Sequence, residues 1–169
     1  MTKSISLRDF QQQLARRIRD AAGETAASAR LGVQAGGCNW LIRLDEVGEV
    51  LPLPVISPVP LTVPWFLGLA SIRGNLASVI DFGQFMGQAP APRDAECRLV
   101  VVADRYNAHS GLMVSRMIGL RNLNELEAAE RSGARAWVGA PWHEHDGTRW
   151  QELDIGALVT SDEFLRVGA

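Results

Sequence analysis

The apolar positions of this chain change their period along its length. Leu7, Phe10, Leu14 and Ile18 recur every three or four residues, which places them on one face of a predicted helix. The stripe is narrow, so we expect this helix either to pack on a neighbouring element or to bind a partner. Residues 24–30 are rich in alanine and serine and predict a linker.

From residue 31 the apolar period becomes two, which is typical of strands. The dipeptide Gly36-Gly37 between two alternating segments predicts a hairpin with a two-residue turn, and its apolar side chains share one face. The predicted cross-strand pairs are Ala35 with Cys38, Val33 with Trp40 and Leu31 with Ile42.

The uncharged segment Val50–Ile72 is long enough to cross a bilayer, but it contains several prolines. Each interior proline removes a hydrogen bond and costs a helix about 3 kcal/mol. The segment is therefore predicted to include an extended connection over Pro52–Pro64 and not a membrane helix. Met1–Gly23 lacks the apolar core of a signal peptide, so we expect a cytoplasmic protein.

The second half of the chain again predicts mostly strands. A second hairpin is predicted at Asp146-Gly147, with Glu144 opposite Arg149 and His143 opposite Trp150. The remaining predicted elements are strands at Leu99–Ala103, Gly111–Val114 and Trp137–Gly139, a short helix through Leu123, Leu126 and Ala129, a sheet-ending segment at Leu153–Val159, and helical turns at Asp81–Met86 and Ser161–Leu165.

Many short strands separated by Gly and Pro turns predict an all-β barrel or sandwich. A linker at Ala89–Pro92 divides the chain into two small units. Each unit alone has too little interior to be stable, so we expect the two to share a core.

Composition narrows the function classes. The chain has 169 residues with a formal charge of −2, which argues against a strongly basic nucleic-acid surface. Apolar residues make up 47%, too many for a disordered chain. Of the two cysteines, Cys38 is predicted to be a small core residue, and Cys97 lies at the entry to a predicted strand. They are too few for a disulfide framework, and neither has the flanking residues of a nucleophile.

No pattern in the chain predicts catalysis or a cofactor. His143 and His145 alternate on one strand face, but two imidazoles need a further ligand to hold a metal, and a polar hairpin surface is the favoured interpretation. Asp45, Glu46 and Glu49 lack an identifiable partner acid. The glycines do not form a phosphate-binding loop, and there is no nucleophile elbow.

Arg73 is the most informative polar residue. It lies between apolar runs and directly precedes Gly74, so its charge needs a partner or water. One interpretation is an anchoring ion pair with Asp81 or Glu49. The other is a groove position that meets a partner protein, and the two are compatible.

Two blocks carry a family resemblance. Trp40–Val50 resembles the signature second strand of the CheW-like family of chemotaxis coupling proteins. Pro64–Asp81 resembles the central motif of that family, an aromatic, a glycine, an apolar-Arg-Gly step and an apolar run ending in Asp. With Leu99–Gly119, the resemblance covers roughly residues 31–120. The N-terminal arm and residues 137–143 resemble the PilI branch, which serves type IV pilus twitching motility.

The resemblance implies a mainly β fold, two intertwined five-stranded SH3-like β-barrels with an N-terminal helix. It implies an arm and linker over residues 1–30, a single domain over 31–169, and barrels at about 31–92 and 93–169 that exchange strands. The implied function is a non-catalytic cytoplasmic adaptor, without cofactor or metal, at membrane-bound receptor arrays. Its implied partners are the cytoplasmic hairpin of a methyl-accepting chemoreceptor and the regulatory domain of a CheA-type histidine kinase, with no nucleic acid and no membrane insertion.

By motif match, the implied partner-binding positions are Val47, Glu49, Gly68 and Arg73. Val47 would supply apolar contact to a receptor helix, and Glu49 and Arg73 would orient that helix or hold the groove rigid. The alternatives are a flagellar coupling protein of the same family and a ligand- or metal-binding β-barrel module. A fragment of a CheA-type kinase, which carries a related domain, is a third and less favoured interpretation.

Overall fold

The computed structural model describes residues 23, 26–131, 133 and 135–169. The predicted helix through Leu7–Ile18 lies outside these residues. Residues 26–28, within the predicted linker, are helical and lead directly into the first strand.

Short strands dominate the part of the chain that the structure describes. The strands are β1 Ala29–Ala35, β2 Cys38–Arg43, β3 Val47–Pro52, β4 Phe66–Ile72, β5 Asn75–Asp81, β6 Arg98–Val102, β7 Ser110–Val114, β8 Arg116–Asn122, β9 Glu127–Ala128, β10 Val138–His143 and β11 Arg149–Leu153. The helices that follow residue 28 are α1 Phe82–Phe85, α2 Ile155–Val159 and α3 Asp162–Leu165, and 3-10 turns occupy Leu44–Glu46, Asp104–Tyr106 and Leu123–Glu125.

The described strands form two sheets, each with strands from both halves of the chain. One sheet has five strands in the order β3-β6-β7-β5-β4, and the other has six in the order β8-β1-β2-β11-β10-β9. The sixth strand, β9, is only two residues long. The prediction of a mainly β fold with two small SH3-like barrels is confirmed, whereas the domain boundaries stay a prediction.

The hairpin at Gly36-Gly37 forms with the predicted register. Both glycines have positive φ, 59° and 75°, as a type I′ turn requires. Cys38 pairs with Ala35, but its side chain is exposed while Ala35 is buried, so the prediction that Cys38 is a core residue was wrong. The main core includes Ala35 but not Cys38.

The hairpin at Asp146-Gly147 forms in a register shifted by one residue. His143 pairs with Arg149 and not with Trp150, because the loop between the strands is longer than two residues. Glu144 N donates to Thr148 O, and Gly147 takes a φ of 88°, the left-handed position of a three-residue loop. The predicted pair of Glu144 with Arg149 was therefore wrong.

Two other segments differ from the predictions. The predicted helix through Leu123–Ala129 is instead a 3-10 turn followed by β9. The segment Leu153–Val159 does not stay in the sheet: β11 ends at Leu153 and the chain turns into α2. The Asp154 carboxylate accepts a hydrogen bond from Ala157 N at 2.8 Å, and this side-chain cap starts the helix.

The interior has a main core and a smaller one. The main core lies between the two sheets, with Trp40, Phe82 and Trp137 at its centre and ring centroids 5.1–6.4 Å apart. The smaller core, which includes Ala70, Val79 and Leu99, lies on the other face of the five-stranded sheet. That sheet is therefore apolar on both faces, which explains its nearly continuous apolar runs.

The uncharged segment Val50–Ile72 is divided between β3, an extended proline-rich connection and β4, as predicted. Across the described ranges, no helix is long and apolar enough to cross a membrane.

Candidate functional site

The turn between β4 and β5 displays Arg73. Ile72 pairs with Asn75, so Arg73 and Gly74 form a two-residue turn, and both have positive φ, 50° and 83°. This is again the backbone of a type I′ turn, which follows the twist of the two strands. The side chain of Arg73 projects from the turn with 79% of its surface exposed.

A bulge in β3 separates Val47 from Glu49. Val47 lies opposite Val102 and Glu49 lies opposite Val101, so the register shifts at Gly48. Because residues directly opposite each other project to the same side of a sheet, the bulge places Val47 and Glu49 on opposite faces. Val47 packs against the main core, and Glu49 lies on the face of the smaller core.

Glu49 is the carboxylate partner of Arg73. Arg73 Nε lies 3.0 Å from both oxygens of the carboxylate, and its Nη2 lies 2.9 Å from Glu49 Oε2. β3 and β4 are the two edges of the five-stranded sheet, so the ion pair joins one edge strand to the hairpin at the other. The hydrogen bonds and charge of Glu49 raise the pKa of Arg73, so the guanidinium stays charged.

Asp81, the other partner considered for Arg73, has a different role. It is 1% exposed and caps α1, where its carboxylate accepts hydrogen bonds from Gln84 N at 3.0 Å and Ala91 N at 3.2 Å. The sequence allowed Arg73 to pair with either Asp81 or Glu49. In the structure it pairs with Glu49.

Gly68 shapes the backbone at the opposite edge of the same sheet. It has a φ of 134° and lies at a bulge in β4. A Cβ at this position would lie 2.1 Å from Ser57 O, because the proline-rich connection crosses here. Ser57 and Leu69 exchange two backbone hydrogen bonds of 2.8 and 2.9 Å. Gly68 therefore permits the connection to dock on β4.

An exposed apolar residue follows the turn. Leu76 is 62% exposed and lies opposite the exposed Ser71. The turn thus presents a positive charge held by a carboxylate and, close by in sequence, an apolar side chain. This mixture suits contact with a protein surface better than it suits a small molecule.

The structure brings no third possible metal ligand to His143 and His145 within the residues that it describes. His145 Nδ1 lies 3.6 Å from Glu127 Oε1, and both side chains are largely exposed. His143 lies in β10 opposite Arg149. Within the described residues, no group of three or more His, Cys, Asp or Glu side chains could hold a metal ion.

The sequence did not reveal the contacts of two carboxylates near β3, Glu46 and Asp45. Glu46 is 3% exposed and accepts hydrogen bonds from Tyr106 Oη at 2.9 Å and Gly156 N at 3.4 Å. Asp45 pairs with Arg43 at 2.8 Å and Arg105 at 3.0 Å. Three of these partners are 60 or more residues away, so no local pattern could have identified them.

Comparison with known proteins identifies related chains. Protein PilI of Pseudomonas aeruginosa is 30% identical over 92 residues, which are 54% of this chain and 51% of that protein. Chemotaxis protein CheV3 of Helicobacter pylori is 21% identical over 97 residues, 56% of this chain and 31% of that protein. The matches therefore span about half of the length of PilI and about a third of the length of CheV3.

A solved structure supports the fold. The crystal structure of the scaffolding protein TtCheW from Thermoanaerobacter tengcongensis superposes with a TM-score of 0.63 at 17% identity, and covers 75% of this chain and 88% of that one. The model of the family described as CheW-like domain matches residues 30–163. That range includes both sheets, the displayed Arg73 and its partner Glu49, and it makes up most of the sequence. The chain therefore belongs to the CheW-like domain family.

Proposed function

We propose that this protein is a non-catalytic adaptor that couples the cytoplasmic hairpin of a methyl-accepting chemoreceptor to the regulatory domain of a CheA-type histidine kinase. Membership of the CheW-like family supports this function, as do relatives named as a chemotaxis protein and a scaffolding protein. The observation that carries the proposal is the display of Arg73, paired with Glu49, at an exposed turn.

Each of the four proposed binding residues has its own role. Arg73 contacts the partner directly, since most of its surface is exposed. Glu49 fixes the direction of the guanidinium and is itself the less exposed member of the pair. Gly68 keeps the proline-rich connection against β4. Val47 contacts the partner through the part of its side chain that the main core does not cover.

The proposed output is type IV pilus twitching motility. The similarity to PilI favours this output over flagellar chemotaxis. The protein would then act in the cytoplasm, associated with membrane-bound receptor arrays.

Titration calorimetry with the receptor hairpin and with the kinase regulatory domain tests the proposal. The informative variant is Arg73→Asn, because asparagine tolerates positive φ and removes only the charged side chain. A matched control is Arg166→Gln. Arg166 is another exposed arginine that pairs with a carboxylate, that of Asp162, and it is distant from Arg73 in the sequence.

We expect the wild-type protein to bind both partners, and Arg73→Asn to weaken receptor binding by at least about tenfold, the effect of about 1.4 kcal/mol. The control should bind as the wild type does. Unchanged receptor binding by folded Arg73→Asn would remove Arg73 from the interface. Binding of the wild type to neither partner would contradict the adaptor function itself.

A further inference from the structure

Glu46 is a buried carboxylate at the start of the strand that carries two of the proposed binding residues. It ends the 3-10 turn Leu44–Glu46, directly before β3, and is 3% exposed. A buried carboxylate is costly unless hydrogen bonds satisfy its oxygens. The position of Glu46 is therefore fixed by the donors that meet its side chain.

Three donors from the second half of the chain meet this carboxylate. Tyr106 Oη donates to Oε1 at 2.9 Å. At longer distance, Gly156 N donates to Oε1 at 3.4 Å and Ile155 N donates to Oε2 at 3.5 Å. Burial raises the pKa of Tyr106, so its hydroxyl keeps the proton that it donates. Arg105 Nη2 in turn donates to Tyr106 Oη at 2.8 Å.

These donors belong to a well-packed part of the molecule. Ile155 is fully buried in the main core, and Tyr106 packs against that core. The Tyr106 ring also lies against the backbone of α2, since a Cβ added to Gly156 would lie 2.9 Å from Tyr106 Cε1. The Glu46 side chain is thus tied to the interior that the two halves of the chain share.

The start of β3 is an irregular part of an edge strand. Among the described strands, β3 is paired only with β6. Glu46 O accepts a hydrogen bond from Ala103 N at 2.9 Å. Val47 then lies opposite Val102, and Gly48 is the extra residue of the bulge. A bulge leaves its extra residue outside the ladder, so a regular pairing competes with the bulged one.

A shift of one residue at the start of β3 would remove the bulge. It would pair Gly48 with Val102 and turn Val47 to the face that carries Glu49. It would also move Glu46 by about 3.3 Å along the strand and turn its side chain to the other face. The carboxylate would then lose its three donors. The contacts of Glu46 therefore oppose the shift.

We propose that Glu46 is a positioning residue whose bonds to Tyr106 and α2 hold the bulge at Gly48. The bulge in turn keeps Val47 and Glu49 on opposite faces of β3. The consequence for receptor binding rests on the proposed function, whereas the positioning itself can be measured on the free protein.

Nuclear magnetic resonance of the full chain tests the proposal. In the bulged register the methyl groups of Val47 and Val102 project to the same side of the sheet, and their nuclear Overhauser effect reports this methyl contact. The shifted register removes the contact. The test variant is Glu46→Ala. The conservative variant is Glu46→Gln, because its amide oxygen still accepts the hydrogen bond from Tyr106.

The matched control is Asp154→Ala. Asp154 also accepts a hydrogen bond at the start of α2, from Ala157 N at 2.8 Å, but this bond joins the helix only to its own cap. The control therefore destabilises α2 without releasing β3. A merely structural effect on α2 would appear in both alanine variants, and a positioning effect only in Glu46→Ala.

We expect Glu46→Ala to weaken the methyl contact at least about twofold and receptor binding at least about fivefold. Glu46→Gln and Asp154→Ala should resemble the wild type in both measurements. An unchanged methyl contact in folded Glu46→Ala, or an equal loss in Asp154→Ala, would overturn the proposal. If Glu46→Ala does not fold, Tyr106→Phe takes its place, since it removes the donor and keeps the ring, and the same outcomes decide.

The binding measurement separates this inference from the proposed function. Loss of the methyl contact with unchanged receptor binding would contradict the link between the bulge and the receptor site. Absence of receptor binding by the wild type would contradict the proposed function, and the methyl contact alone would then decide whether Glu46 positions β3.

Discussion

Arg73 occupies a backbone position that does not favour arginine. Its φ of 50° costs a non-glycine residue about 1 kcal/mol, and asparagine or glycine is the usual choice there. Its ion pair with Glu49 is largely exposed and so contributes at most about 1 kcal/mol. Stability alone therefore does not account for arginine in this turn, which fits a residue that meets a partner.

Gly68 gives a prediction at the same scale. Gly68→Ala should lower the free energy of unfolding by at least about 2 kcal/mol, because a side chain both strains the positive φ and collides with Ser57 O. Urea unfolding measures the loss. The control is Gly87→Ala, where φ is also positive, 86°, but no atom lies within 4 Å of the added Cβ. Equal losses for the two variants would contradict the steric explanation.

At the scale of elements, a bulge decides which side chains reach the site. Without the shift at Gly48, Val47 and Glu49 would share one face of β3, since strand side chains alternate with a period of two. The extra residue turns Val47 into the main core and leaves Glu49 free to meet Arg73. Bulges serve this purpose elsewhere in sheets, where they redirect a side chain.

Contacts between two 3-10 turns give a prediction about how stability depends on pH. These turns are Leu44–Glu46, before β3, and Asp104–Tyr106, before β7. Arg43 and, less strongly, Arg105 hydrogen-bond to Asp45 and lower the pKa of its carboxyl group. Since the folded pKa is the lower one, the stabilisation is complete above the ordinary value of 3.8 and is lost as the pH falls through the folded value.

Asp45→Asn should therefore be less stable than the wild type at pH 7, by up to about 1 kcal/mol because the pair is half exposed. The difference should shrink as the pH falls below the ordinary value, and urea unfolding at several pH values measures it. Asp162→Asn, which breaks a longer and more exposed contact with Arg166, serves as the control and should change little. A constant difference at all pH values would refute the electrostatic explanation.

At the scale of the whole molecule, both sheets depend on both halves of the chain. β1 pairs with β8 and β2 with β11, while β3 pairs with β6 and β5 with β7. All four pairings cross residue 92, and the main core is built from both halves.

Separate chains 1–92 and 93–169 should therefore fail to fold alone, because each would leave sheet edges and half of a shared core exposed. Near-UV circular dichroism of each fragment checks this, and the intact chain should unfold in one transition by fluorescence and by circular dichroism. A fragment with its own cooperative unfolding transition would show that the halves are independent.

Local chemistry explains what could be predicted from the sequence. The turn at Gly36-Gly37 has the register that its alternating flanks predict, because glycine readily adopts the positive φ that a type I′ turn needs at both central positions. The prediction failed at Asp146-Gly147, where the same kind of dipeptide fits a two-residue or a three-residue loop. Glu144, next to this loop, is held by Arg121 and Trp150, and neither contact can be identified from the dipeptide itself.

The sequence by itself determined the strand-rich class, the family and the prominence of Arg73, since these depend on residue type and on spacing along the chain. Only the tertiary structure decided that Glu49 and not Asp81 is the partner of Arg73, that Val47 faces the main core, and that β8 pairs only with β1 among the described strands. These features arise from bulges and from pairings between distant strands. Their energies depend on which backbones come together in space, and a one-dimensional pattern does not contain that information.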